Sequence, residues 1–154
     1  MSDTYTQIYI HLVFAVKFRD GLLDKKWRER VFDYIGGIIR NNNHKILAIN
    51  GIEDHIHILI GLNPAQAISD LVRIVKSDST KFINENKLST VKFRWQNGYG
   101  AFSYAKSQID YVINYIKNQE LHHQNKSFHI EWDGMLSKFD IKKNINSTEF
   151  DFFD

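Results

Sequence analysis

Between Thr6 and Lys17 the side chains alternate. Ile8, Ile10, Leu12, Phe14 and Val16 point one way, and Tyr9, His11, Val13, Ala15 and Lys17 the other. A period of two is that of a β-strand. Beyond Asp24, a helix-capping residue type, the period lengthens. Trp27, Val31, Tyr34, Ile35, Ile38 and Ile39 form one stripe, which predicts an amphipathic helix ending at Asn41-Asn42-Asn43. Lys45 to Gly51 and His55 to Leu62 read as short strands joined as a hairpin around Gly51–Asp54. Asn63-Pro64 opens a second helix to about Asn86, with Ile68, Leu71, Val72, Val75, Phe82 and Ile83 on one side. Val91 to Gln96 predicts a fourth strand, Asn97-Gly98-Tyr99-Gly100 a loop, and the stretch from about Ser103 to His122 a third helix.

The order β-α-β-β-α-β plus a helix predicts an α+β fold of the ferredoxin-like (RRM-like) kind. Two helices cover one face of an antiparallel sheet. The other face is left for a ligand, a partner or the third helix.

A length of 154 residues suits one domain, expected over residues 1–133 with an acidic tail over 134–154. The chain has no cysteine, which excludes disulfides, thiolate metal sites and a thiol nucleophile. It has no apolar run long enough for a membrane span and no leader pattern at Met1-Ser2-Asp3-Thr4, so a cytoplasmic, nucleoid-associated protein is expected. Net charge is only +2, but residues 1–126 carry 17 basic against 12 acidic side chains, and residues 127–154 carry 3 against 6. A basic body with an acidic tail is compatible with nucleic-acid binding without requiring it. The tail contains Phe150, Phe152 and Phe153, which suit either a frayed end or docking on a neighbouring subunit.

His55-Ile56-His57 lies inside a predicted strand, so both imidazoles share one face and Ile56 and Ile58 the other. Two neutral imidazoles so placed can share a metal ion, or simply furnish a polar strand face. On the third helix Ile109, Val112, Ile113 and Ile116 form the core stripe, with Tyr115 and Gln119 one turn apart at its flank. Tyr104, Tyr111 and His122 lie further round. Such tyrosines fit an amphipathic surface or, alternatively, a tyrosine nucleophile with a metal-ligating amide one turn away. His11 sits on the polar face of the first strand and His44 at a helix end. No glycine-rich phosphate loop, Ser/His/Asp arrangement or spaced carboxylate pair is present.

Several of these motifs occur in one order: Gly51-Ile52-Glu53-Asp54 before His55-Ile56-His57, Trp95-Gln96-Asn97-Gly98-Tyr99-Gly100-Ala101-Phe102-Ser103, Tyr115-Ile116-Lys117-Asn118-Gln119-Glu120, His122-His123 and Phe128 to Glu131. With the opening His11-Leu12-Val13-Phe14, Lys17 and Arg19, they resemble the IS200/IS605-type transposases, the single-tyrosine branch of the HUH nucleases. The resemblance spans residues 5–133. It implies that Tyr115 is the nucleophile in preference to Tyr111, that His55, His57 and Gln119 are metal ligands, and that the ion is Mg²⁺ or Mn²⁺. It also implies cleavage and rejoining of single-stranded DNA at hairpin-bearing ends through a 5′-phosphotyrosine, by a homodimer whose sites are shared between subunits. Lys17, Arg19, Arg73, Lys76 and Arg94 are the candidate DNA contacts. The alternative is an RRM-like single-strand-binding module without catalysis, which would present aromatics where the central strands carry His55 and His57.

Overall fold

The computed structural model describes residues 3–17, 23–123 and 127–142. Its elements are β1 (Tyr9–Ala15), α1 (Arg28–Asn41), β2 (Lys45–Gly51), β3 (His55–Gly61), α2 (Ile68–Glu85), β4 (Gly100–Tyr104), α3 (Ile109–Lys117), α4 (Gln119–His123) and α5 (Phe128–Lys138). The four strands form one sheet in the order β2-β3-β1-β4, with every neighbouring pair antiparallel. This is the ferredoxin-like order expected from the sequence.

One face of the sheet is the main core. Leu12 and Phe14 of β1 and Ile56, Ile58 and Ile60 of β3 meet Val31, Phe32, Ile35 and Ile39 of α1 and Leu71, Val72 and Val75 of α2. The alternation on β1 is therefore an alternation between two cores, since Val13 and Ala15 are as buried as Leu12 and Phe14. Helices of the same chain cover the second face. Ile109, Val112 and Ile116 of α3 pack on Ala48 and Leu59. Phe128, Trp132, Met135 and Leu136 of α5 pack on Val13, Ala15 and Phe102. The RRM-like alternative thus loses the open sheet face on which bases would stack.

Two sequence expectations need correction. Val91–Gln96 is not a strand: it makes one bridge, Val16 to Trp95, while the Asn84 side chain takes both the N–H and the C=O of Phe93. A side chain of α2 thus replaces the ladder partner. The fourth strand comes later, at Gly100–Tyr104, after a turn in which Gly98 has φ 85°. Gly100 is required there, because a Cβ would lie 2.8 Å from the Phe102 ring and 2.9 Å from that of Trp132. Tyr104 consequently belongs to the sheet and not to a helix.

The expected third helix is divided into α3 and α4 at Asn118. A further helix, α5, runs across the domain limit expected at residue 133, burying Met135 and Leu136. Its signal was legible: Ser127 caps it by accepting from the Ile130 N–H, and Phe128, Trp132, Met135 and Leu136 recur at helical spacing. The tail phenylalanines and Arg19 lie outside the described residues.

Candidate active site

The cross-strand register puts His55 opposite Ala15, His57 opposite Val13 and on its other side Asn50. All face α3–α5. Gly51 permits the tight entry into β3, since a Cβ there would fall 2.3 Å from the His55 carbonyl oxygen. Asn50 reaches up to α3 and donates from Nδ2 to the carbonyls of Ile116 (3.0 Å) and Lys117 (3.1 Å). It satisfies acceptors that a helix end leaves unpaired and ties the tyrosine helix to the histidine strand. Arg28 of α1 bonds Glu120 at 2.6 Å and anchors α4 in the same way.

Four donor groups converge beneath these helices. His57 Nε2 lies 2.8 Å and His55 Nε2 3.2 Å from Glu131 Oε1, and His55 Nε2 lies 3.2 Å from Gln119 Oε1. All four residues are buried, at 1% exposure or less. Tyr115 donates its hydroxyl to Glu131 Oε2, which also accepts from His123 Nε2 at 3.1 Å. The Tyr115 ring lies edge-on to His57 at 5.8 Å and stacks on His122 at 4.6 Å. His55, His57, Gln119 and Tyr115, all singled out from the sequence, are thus neighbours in space within one chain. Tyr111, 67% exposed, makes none of these contacts.

The remaining ring nitrogens are also engaged. Asp54 Oδ1 lies 2.7 Å from His55 Nδ1, and His11 Nε2 lies 2.8 Å from His57 Nδ1. With Nδ1 occupied on each ring, both Nε2 atoms face Glu131, the orientation that outer partners impose on metal-ligating histidines. Two imidazole nitrogens, a carboxylate and an amide oxygen at these separations fit a divalent first-row ion; Mg²⁺ prefers oxygen more strongly.

Electrostatics separate the two histidines. Burial opposes charge on His55, but hydrogen bonds to Asp54 and Glu131 outweigh it and hold its pKa at about 9. Burial dominates at His57 and brings it down to about 4. Glu131 is buried as well, yet hydrogen bonds from His123, His55 and His57 hold its carboxyl far below the usual range. Burial, together with the Glu131 charge, pushes the Tyr115 phenol well above its ordinary value.

Glu131 was not assigned a role from the sequence. It stands among Phe128, Trp132 and Met135 on the buried side of α5, and a carboxylate on an apolar helix face is the signal that marks it.

The candidate DNA contacts lie elsewhere. Lys17, Arg73, Lys76 and Arg94 all line a groove of about 630 Å³ beside α2 and the 94–99 segment. Lys76 differs from the rest: its Nζ donates to the carbonyls of Gln96 (2.8 Å) and Gly98 (2.6 Å), and burial lowers its pKa to about 8. It braces the loop, leaving Lys17, Arg73 and Arg94 exposed along the groove.

Residues 4–119 match the sequence model of the family described as "Transposase IS200 like". The chain belongs to the IS200-like transposase family. It is accordingly a DNA-processing enzyme of transposition and recombination. Among characterised members it is 25% identical over 118 residues to the ISDra2 transposase TnpA of Deinococcus radiodurans, covering 73% of this chain and 84% of the relative. It is 27% identical over 125 residues to the transposase of insertion sequence IS200 from Salmonella typhimurium, covering 77% and 81%.

Solved structures share the fold. A candidate transposase from Deinococcus radiodurans superposes with a TM-score of 0.62 at 21% identity, covering 77% of this chain and 95% of that one. A REP-associated tyrosine transposase bound to a REP hairpin gives 0.62 at 15% identity, covering 96% and 93%. Glu131 and α5 lie beyond the family match but inside the folded unit. Among the described residues no helix is long and apolar enough to cross a membrane.

Proposed function

We propose that this transposase cleaves and rejoins single-stranded DNA at hairpin-bearing element ends, with Tyr115 as nucleophile and His55, His57 and Gln119, joined by Glu131, holding a divalent ion, Mg²⁺ or Mn²⁺. The observation that carries this reading is the convergence of the Tyr115 hydroxyl and both His Nε2 atoms on the one carboxylate of Glu131.

In the step proposed, Tyr115 Oη attacks phosphorus. An Oη–P bond forms, the P–O3′ bond breaks, and the 3′ oxygen leaves and is protonated, so the DNA 5′-phosphate remains on the tyrosine. Rejoining is the reverse, with a 3′-hydroxyl attacking. The covalent link conserves the bond energy, so no nucleotide cofactor is needed. A tyrosine is a poor nucleophile at neutral pH, and here burial and Glu131 keep its proton on. When bound, a divalent ion supplies the positive charge that favours the phenolate and stabilises the charge developing on the phosphate. Glu131 Oε2 holds the phenol oxygen in place through the existing hydrogen bond, and the phenol proton passes to solvent as the Oη–P bond forms. Lys17, Arg73 and Arg94 meet phosphates along the groove. The REP-bound neighbour supports a hairpin as the ligand. Binding of this kind would keep the protein with the nucleoid.

We also read the protein as a homodimer with shared sites. Tyr115 lies over its own chain's His57, so sharing requires exchange of α3–α4 between copies about the 3₁₀ turn at Lys106–Gln108. Mixing Tyr115→Phe chains with His57→Ala chains tests this: recovery of adduct establishes sharing, and a monomeric mixture without adduct refutes it.

The deciding experiment for the activity is incubation with hairpin-bearing single-stranded DNA and Mn²⁺, followed by a denaturing gel. A protein–DNA adduct is expected, absent in Tyr115→Phe and in His57→Ala. An adduct that survives Tyr115→Phe but not Tyr111→Phe overturns the nucleophile assignment.

A further inference from the structure

Between α3 and α5, over the His11 position of the sheet, lies a slot of about 210 Å³. Tyr104, Tyr111, Tyr115, Lys138 and Gly134 line it together with His11. We propose that this slot receives one base of the DNA strand, that of the nucleotide joined to the scissile phosphate. The proposal rests on the reading of Tyr115 as nucleophile and adds where the substrate's nearest base sits.

The slot's size limits its occupant. It is smaller than the roughly 300–1,000 Å³ of ordinary small-molecule sites, so it suits a fragment such as a single planar base. Its walls have the chemistry of a single-strand site. Tyr104 is half-buried and Tyr111 exposed, and the Lys138 Nζ lies 5.1 Å from the first ring centroid and 5.9 Å from the second. Aromatic faces offer stacking to any base, and a lysine beside them offers a partner for the attached phosphate.

One residue lining the slot has a polar atom without a partner. His11 is 1% exposed, its Nε2 is engaged by His57, and its Nδ1 has no hydrogen-bond partner among the described residues. Buried polar atoms are almost always paired in proteins, and the edge of a base supplies a donor or an acceptor. Nor is the slot closed by packing. A Cβ built on Gly134 meets nothing within 4 Å, although Phe128, Trp132 and Leu136 hold other positions of α5 tightly against the sheet. Finally, Tyr115 and Glu131 line the same slot, so a base held there brings its own phosphate to the Tyr115 hydroxyl.

Gly134→Leu narrows the slot while improving helix propensity, and it replaces none of the proposed ligands or the nucleophile. The test uses the full chain and hairpin oligonucleotides carrying 2-aminopurine at successive positions through the cleaved junction. Quenching at one position, adjacent to the cleaved bond, is expected. Gly134→Leu should abolish that quench and weaken binding of the single-stranded segment about 10-fold. Its affinity for the isolated hairpin should stay at the wild-type value and its melting temperature at or above it. Lys138→Gln should weaken the same segment less. An adduct formed without any position-specific quench overturns the slot proposal alone, as does a quench that survives Gly134→Leu. Absence of a wild-type adduct on every hairpin substrate overturns both this proposal and the function on which it rests.

Discussion

The hydroxyl of Tyr115 and the carboxylate of Glu131 are hydrogen-bonded partners, and the same carboxylate bridges to His55 and His57 through its other oxygen. One side chain on α5 thus joins the nucleophile candidate on α3 to the ligand candidates on β3. Glu131→Gln keeps the shape and removes the charge. The expected result is a Tyr115 phenol that titrates closer to its ordinary value, read by ultraviolet difference titration, and Mn²⁺ affinity lowered by about 10-fold or more. Unchanged Mn²⁺ affinity would exclude Glu131 from the ligand set.

The two strand histidines predict opposite pH limits for the metal-free protein. His55 has a folded pKa of about 9, above its ordinary 6.5, so its contribution is full below pH 6.5 and is lost as pH rises through 9. His57 has a folded pKa of about 4, below 6.5, so the folded state loses stability as pH falls from 6.5 towards 4. Each arm amounts to on the order of 3 kcal/mol. Thermal melts in chelator should therefore peak near neutral pH and decline on both sides. Mn²⁺ should flatten the alkaline arm, because a ligating His55 is already deprotonated. A melting temperature that climbs steadily from pH 7 to 9 in chelator contradicts a charged His55.

Asn50 is predicted to act on Tyr115 through the end of α3. Asn50→Ala removes two donors to helix carbonyls and should destabilise by about 1–2 kcal/mol, measured by urea unfolding. It should also loosen Tyr115, seen as faster hydrogen exchange confined to residues 113–119. Exchange unchanged in that segment would show that α3 is held by its apolar face alone.

Lys76 separates loop bracing from charge. Lys76→Met should release the Gln96–Gly98 loop and weaken hairpin binding at all salt concentrations. Arg73→Ala should instead weaken binding mainly at low salt and reduce the slope of log affinity against log salt by about 1. Equal salt slopes in the two variants would refute the distinction.

Gly100→Ala tests the contact between β4 and α5. The added methyl must displace Trp132 or Phe102, and the expected cost is about 1–3 kcal/mol in unfolding free energy. A neutral substitution would mean that α5 sits further from the sheet.

How much of this was legible depended on range. β2 was read correctly from end to end, and β1, α1, β3 and α2 within several residues, because hydrophobic period is a local property of the chain. The fourth strand was misplaced for a non-local reason. Val91, Phe93 and Trp95 alternate like a strand, but Asn84 of α2 takes up the Phe93 backbone, while the plain segment Gly100-Ala-Phe-Ser-Tyr104 finds a vacant edge on β1.

The site divides in the same way. His55 and His57 share a face by alternation, and Tyr115 and Gln119 by helical spacing, so each pair was visible along the chain. Nothing local says that these pairs meet, that Glu131 stands between them or that His11 backs His57. Those facts follow from the fold bringing residues 11, 55, 57, 115, 119 and 131 into one buried cluster. There, burial and hydrogen bonding divide two chemically identical imidazoles into one held charged and one held neutral. Residue types and their period along the chain determined three of the sheet's four strands, its main core and the chemistry available. The tertiary structure decided which groups share a cavity and in what protonation state, because distance and dielectric exist only once the chain is folded.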